Sequence, residues 1–221
     1  MQIYEEKFRN ELSDSYVFTP HLSLLELLEI YKSLPNKDIP NTSLELGCGG
    51  GLHLNRNTCF REVEGLEVSK TAADFLTHKY QIKVYHCDFL DFEPLKKWDL
   101  LFDAHLLHCL IGVNAFKEYF KKVFDLLNPH GHLVLEVMCE GRGMSFDANQ
   151  NYDIQSKVLF EGDIPIRTIL SSREIEQIIC ESGLKIVYLR VDENIKFIPN
   201  SHRSESRPSD PDRMRIICLK E

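Results

Sequence analysis

A chain of 221 residues, 43% hydrophobic and 27% charged, is long enough for one domain with a sizeable core. Its formal net charge of −8 gives no general attraction for phosphate backbones and excludes bulk nucleic acid as the expected partner. The seven cysteines form no Cys-x-x-Cys pair, the opening residues show no basic and apolar leader, and no apolar run is long enough for a membrane span. These features lead us to expect a soluble, reduced, cytoplasmic protein without a membrane partner.

Residues 22 to 34 place leucines and Ile30 three and four apart with glutamates between, which predicts an amphipathic helix ended by Pro35 and Pro40. Residues 1–41 are thus expected to form an N-terminal helical cover. Strands are expected at 42–47, 62–68, 82–87, 98–103 and 131–138. Helices lie between most of them, at 69–80 behind the capping residue Ser69, and at 114–127 with Phe116, Tyr119, Phe120, Val123 and Phe124 on one stripe. Asn128-Pro129-His130-Gly131 reads as a turn. From 139 to 170 the alternation pauses, and runs at 157–160 and 164–169 flank Glu161-Gly162-Asp163 like a hairpin. A helix at 171–182 and strands at 185–191 and 214–219 follow. Arg203, Arg207, Arg213 and Arg215 alternate with Glu205, Asp210 and Asp212, the pattern of a solvated loop.

Strands alternating with helices specify a doubly wound α/β fold: one domain over 1–221, a mostly parallel sheet with helices on both faces. Two late strands joined by a polar loop predict an antiparallel C-terminal hairpin. Ligands in such folds settle beyond the carboxyl ends of the strands. The first strand ends in Leu44-Glu45-Leu46-Gly47-Cys48-Gly49-Gly50-Gly51. Of its alternate glycines, Gly47 suits a tight turn, Gly49 lets a ligand reach the backbone, and Gly51 brings the next helix close. The dinucleotide fingerprint would need a glycine where Leu52 stands. Glu67, followed by Val68, ends the second strand and has the two acceptor oxygens that a ribose diol requires. Cys87, Asp88 and Phe89 follow the third strand, where a carboxylate can accept from an adenine amino group beside an aromatic ring. Asp103 and Ala104 end the fourth.

This series resembles the class I, Rossmann-like S-adenosylmethionine-dependent methyltransferases, of small-molecule type. Glu45 to Gly51 resembles their first motif, Gly65-Leu66-Glu67-Val68-Ser69 the second, and Cys87-Asp88-Phe89-Leu90 the adenine-contacting segment. Trp98 to Asp103 resembles the fourth strand, and Leu126-Leu127-Asn128-Pro129-His130-Gly131 the Leu-x-Pro-Gly-Gly turn, with His130 where glycine is common. The resemblance runs from about 42 to 138. It implies a seven-stranded sheet and S-adenosylmethionine as cofactor, with S-adenosylhomocysteine as product. It also implies that Glu45 lies near the methionine amino group and that the backbone from Gly47 through Cys48 and Gly49 to Gly51 lines the methionine and ribose.

The methyl acceptor is less legible. His105 and His108 follow the fourth strand and could take a proton near neutral pH, making them candidate catalytic residues. Local packing is the competing reading for both, and no further ligands accompany His105-x-x-His108 to suggest a metal. Segment 139–170 is expected to act as a lid over the acceptor, with Arg142 and Arg167 able to pair with an anion. The signatures of adenine, glutamine and cytosine methyltransferases are absent, so a small molecule is the leading acceptor. A protein side chain, a non-catalytic binding module and an aminopropyltransferase are the alternatives.

Overall fold

The computed structural model describes residues 2–35, 38–54, 60–193 and 209–221. The chain opens with α1 (Gln2–Glu11), α2 (Leu22–Ser33), β1 (Thr42–Leu46), β2 (Glu62–Glu67), α3 (Lys70–Tyr80), β3 (Val84–His86), β4 (Trp98–Ala104) and α4 (Val113–Leu126). It continues with β5 (Leu127–Cys139), β6 (Gln150–Asp153), β7 (Val158–Glu161), β8 (Ile164–Thr168), α5 (Ser172–Glu181), β9 (Lys185–Asp192) and β10 (Asp212–Leu219). Seven strands form the main sheet in the order β3-β2-β1-β4-β5-β10-β9. All pairs are parallel except those of β10, which runs antiparallel to β5 and β9. The expected seven-stranded architecture with its antiparallel hairpin is what the chain adopts.

Period-two alternation divides the strand residues between two cores. Leu44, Leu46, Leu101, Leu135, Met214 and Ile216 pack on the aromatic stripe of α4 and on Ile175, Ile178 and Ile179 of α5. Leu100, Phe102, Val134 and Ile217 point the other way, against Leu24, Leu27, Leu28 and Tyr31 of α2. Leu76 of α3 packs with Ile82 and Cys48. Each fully buried Leu or Phe contributes about 1.5 to 3 kcal/mol, so a sheet covered twice carries most of the stability. Two helix starts are fixed locally. Ser69 Oγ accepts from Ala72 N at 3.3 Å, and Ser171 with Glu174 forms a capping box at α5.

Several elements differ from expectation. Helix α1 stands as a separate element before α2. The turn expected at 128–131 is an irregularity inside a longer β5: Trp98 pairs with Leu127, then the register jumps to Leu100 with His132. The segment after β5 holds a three-stranded antiparallel sheet, β6-β7-β8, of which only the hairpin β7-β8 was expected. Its ends meet, since Cys139 bridges Leu170 and Glu140 N donates to Leu170 O at 2.9 Å.

Arg213 and Arg215 are not in a solvated loop. Both lie in β10, 5% exposed, and Arg215 is ion-paired with Glu26 of α2 at 3.1 Å and with Glu136 and Asp192 at 3.3 Å. Arg203, Arg207 and Glu205 lie outside the described residues. Among the described residues no helix is long and apolar enough to cross a membrane.

Candidate active site

The order in which strands are added reverses between the parallel β1 and β4, and the sequence-predicted residues cluster at the carboxyl ends of the strands there. Gly47 has φ +65° and Gly49 has φ +55°, the left-handed region in which side chains are strained. Gly47 N donates to Leu66 O at 2.8 Å, fastening the loop to β2, and a Cβ on Gly47 would lie 2.9 Å from that of Leu106. A Cβ on Gly51 would lie 2.0 Å from the ring of Phe18, so the N-terminal segment makes the close approach among the described residues. Phe8 lies against Gly49 in the same way, and Leu12 and Tyr16 against Gly50, so the N-terminal segment roofs the glycine loop.

The two glutamates at the strand ends are buried and held by backbone amides. Glu67 Oε2 accepts from Gly49 N at 2.8 Å and Oε1 from Ser69 N at 2.9 Å. Burial raises its pKa against those hydrogen bonds. Each oxygen retains a lone pair for one further donor. Glu45 accepts from His53 N, Leu54 N and His53 Nδ1 at 2.8 to 3.1 Å. Asp88 Oδ1 accepts from Leu90 N at 2.9 Å and closes a turn. Phe89 is 2% exposed and packs on Tyr119, ring centroids 4.9 Å apart, within the main core. Cys87 and Val68 are half-buried: Cys87 N donates to Glu67 O at 3.1 Å, and Val68 O accepts from His86 at 3.2 Å.

Asp103 lies deeper. Its carboxylate accepts from Leu106 N, Leu107 N and the Tyr119 hydroxyl at 2.6 to 3.1 Å, capping the short helical turn Leu107–Cys109. Burial raises its pKa to about 7 despite those donors. Ala104 is half-buried against the α2 side of the sheet.

Beyond β4 lies a row of imidazoles. His53 stacks on His21 at 5.9 Å, His21 meets His105 edge-on at 5.0 Å, and His105 lies 5.6 Å from His108. A carboxylate stands beside two of them: Glu45 on His53, and Glu136 Oε1 at 2.8 Å from His105 Nε2. The backbone N–H of His21 donates to His53 Nε2 at 3.3 Å, which puts the His53 proton on Nδ1, facing Glu45. His105 has φ +77°, an unusual conformation for a side-chain-bearing residue. Burial lowers the pKa of His21 to about 4 and lowers those of His105 and His108. Burial alone would raise Glu136, but the hydrogen bond from His105 and the charges of Arg213 and Arg215 bring it to about 2. Glu136 Oε1 thus accepts the Nε2–H of His105.

Three segments distant in sequence complete the site. Glu5 of α1 accepts from Ser69 Oγ, Thr71 Oγ1 and Thr71 N at 2.6 to 3.2 Å, so α1 is tied to the start of α3. The Tyr4 hydroxyl accepts from Arg167 Nη1 of β8 at 2.9 Å, and Thr168 Oγ1 accepts from Gly112 N at 2.7 Å. Arg142 is exposed. Tyr4, Glu5, Phe18, His21, His53 and Glu136 were not singled out from sequence, because their roles arise only when α1, β5 and the glycine loop converge. Among the described residues no three His, Cys, Asp or Glu side chains are grouped to hold a metal ion.

A seven-stranded sheet of this order, with a glycine turn and acids at successive strand ends, is the fold of class I S-adenosylmethionine-dependent methyltransferases. Residues 22–189 match the methyltransferase domain family, and the chain belongs to that family. Over 110 residues it is 31% identical to the probable thiol methyltransferase 2 of Arabidopsis thaliana, a match spanning 46% of this chain and 46% of that protein. The chain thus covers about half the length of this relative. The N-methyltransferase NodS from Bradyrhizobium japonicum, solved with S-adenosyl-l-homocysteine, has a similar structure: TM-score 0.66, 15% identity, 98% of each chain covered. An S-adenosylmethionine-dependent methyltransferase from Clostridium acetobutylicum gives TM-score 0.66 at 13% identity, covering 100% of this chain and 97% of that one.

Proposed function

We propose that the protein transfers the methyl group of S-adenosylmethionine to a small-molecule acceptor. The observation that carries this reading is the buried Glu67 carboxylate, held by Gly49 N and Ser69 N with one lone pair left on each oxygen. That acceptor set suits a ribose diol. The glycine-loop backbone from Gly47 through Cys48 to Gly51 would line the ribose and methionine, with Glu45 near the amino group. Asp88 and Cys87, with the backbone of Val68 and Phe89, would border the adenine. Phe89 contributes packing, and Asp103 and Ala104 set the path of the chain into the acceptor chamber.

The bound sulfonium supplies an activated methyl group. The chain's own part is alignment and exclusion of water, and alignment of reactants is worth roughly 7 to 11 kcal/mol relative to a dilute encounter. We assign His105 as the general base wherever the acceptor must lose a proton. Glu136 accepts its Nε2–H and so orients the ring beside the acceptor. His108 is a neighbour in the same chamber, not the base. The β6-β7-β8 insertion is the acceptor lid, and residues 1–41 cover the cofactor.

The hydrogen bonds that tie α1 and the turn after β4 to β8 border the acceptor side with ordered chain, which supports a small molecule over a protein side chain. The partial likeness to a probable thiol methyltransferase supports a thiol among the first acceptors to assay. The deciding experiment is ligand-dependent melting with S-adenosylhomocysteine against NAD. At 100 times its dissociation constant a ligand adds about 2.7 kcal/mol, which should raise the midpoint by roughly 5 to 11 °C for a domain of this size. No shift with S-adenosylhomocysteine, or a larger one with NAD, overturns the proposal.

A further inference from the structure

Arg167 is unlike the other arginines of the interior. Arg215 pairs with three carboxylates, and Arg213 lies within the attraction of Glu136 and Asp210. Arg167 forms no ion pair. Nη1 donates to the Tyr4 hydroxyl at 2.9 Å and to its neighbour's carbonyl, Ile166 O, at 2.6 Å; Nε and Nη2 make no hydrogen bond. Glu161 acts on it only at a distance. The guanidinium stands among groups that do not neutralise it: the Cys109 thiol and His108 on the turn after β4, and a second cation, Arg213, which it repels. His108 is 3% exposed and its Nδ1 has no hydrogen-bond partner. A half-buried cation with idle donors, on a strand packed against the turn that carries a buried imidazole nitrogen without a partner, leaves polar capacity for a ligand to complete.

We propose that the methyl acceptor carries an oxyanion, a carboxylate or phospho group, which docks on the Nε and Nη2 edge of Arg167 with His108 Nδ1 as a further donor. A planar guanidinium offers two parallel N–H groups to such an anion, and hydrogen bonds to charged partners are the strong ones. Arg167 lies on the lid and His108 just beyond β4, so the anion would fasten the lid to the sheet at the distal end of the acceptor. The nucleophilic atom would then face His105. This inference rests on the proposed function, because it places the anion on the acceptor of that reaction.

The test is calorimetric titration of the intact protein, with and without saturating S-adenosylhomocysteine. The probes are 3-mercaptopropionate against the uncharged 3-mercapto-1-propanol, with methylphosphonate to separate phospho from carboxylate recognition. We expect 3-mercaptopropionate or methylphosphonate to bind about tenfold or more tightly than the alcohol. Arg167→Met should erase that preference with S-adenosylhomocysteine affinity unchanged, and Arg142→Met, on the exposed segment, should keep it. Equal binding of anions and alcohol by the native protein, or a preference surviving in Arg167→Met, overturns the inference. Loss of S-adenosylhomocysteine binding alone instead overturns the cofactor reading, and the titrations without it still decide the fate of Arg167. Arg167→Met should also melt no lower than the native protein, since it removes a charge lacking an ionic partner. A large drop would mark Arg167 as a purely structural residue and overturn the proposal.

Discussion

Glu67 ties two elements together with the same oxygens that are proposed to meet the ribose. Its oxygens hold Gly49 N and Ser69 N, tying the glycine loop to the start of α3. Replacing it with alanine should lower S-adenosylhomocysteine affinity about tenfold or more, with some loss of stability from two stranded amides. Glutamine, which keeps one acceptor oxygen, should fall between. Unchanged affinity in Glu67→Ala, measured by calorimetry, would remove Glu67 from the ribose role. Gly47 is a second sensitive position. Gly47→Ala adds a methyl at φ +65° that meets Leu106, and should cost about 1 to 3 kcal/mol by chemical denaturation. The three atoms nearest a Cβ on Gly51 all belong to the ring of Phe18, so pairing Gly51→Ala with Phe18→Ala should restore stability, whereas Gly47→Ala should gain nothing from that second change.

Among the elements, the insertion between β5 and α5 stands apart energetically. The β6-β7-β8 sheet places no residue in the main core clusters, and Cys139 and Leu170 already lie side by side at its base. Replacing 145–168 with a short glycine-serine linker should leave a folded protein that still binds S-adenosylhomocysteine but transfers no methyl group. Circular dichroism and melting distinguish this outcome from unfolding, which would make the segment core. Elements differed sharply in how well the sequence revealed them. Strands β1, β4 and β5 were legible because both faces are buried and their apolar runs are nearly unbroken. Strand β6, Gln-Asn-Tyr-Asp, has only tertiary pairing to mark it. Helix α1, with Tyr4 and Phe8 among charges, reads weakly because what it covers is the glycine loop rather than a core. Arg213 and Arg215 were misread because acids flank them in sequence. Their true partners, Glu136 and Glu26, sit on other elements, and the clue was their alternation with the buried Met214 and Ile216.

Across the whole molecule, burial of imidazoles should govern acid stability. His21 is lowered from 6.5 to about 4, and His105 and His108 are lowered as well, chiefly by burial. Between those values the folded state binds fewer protons than the unfolded chain. Stability from these groups is complete above about pH 6.5 and is lost as pH falls toward 4. Asp103, raised from 3.8 to about 7, works in the opposite sense, its contribution fading as pH rises through 7. Glu67 and Asp212, also raised by burial, act in the same sense as Asp103. With the three imidazoles outweighing these carboxyls, the melting temperature should fall from pH 7.5 to 5, and His21→Gln should flatten that slope. A melting temperature that rises on acidification would show the raised carboxyls to be dominant.

The hydrogen bond between Tyr4 and Arg167 joins the helix that roofs the glycine loop to the β6-β7-β8 sheet proposed to cover the acceptor. On that proposal the two covers are partners in a single thermodynamic linkage. Whatever factor S-adenosylhomocysteine adds to the affinity for a bound anion, that anion must add to the affinity for S-adenosylhomocysteine. Tyr4→Phe should reduce that factor toward one while leaving each separate affinity nearly intact, making the two ligands independent.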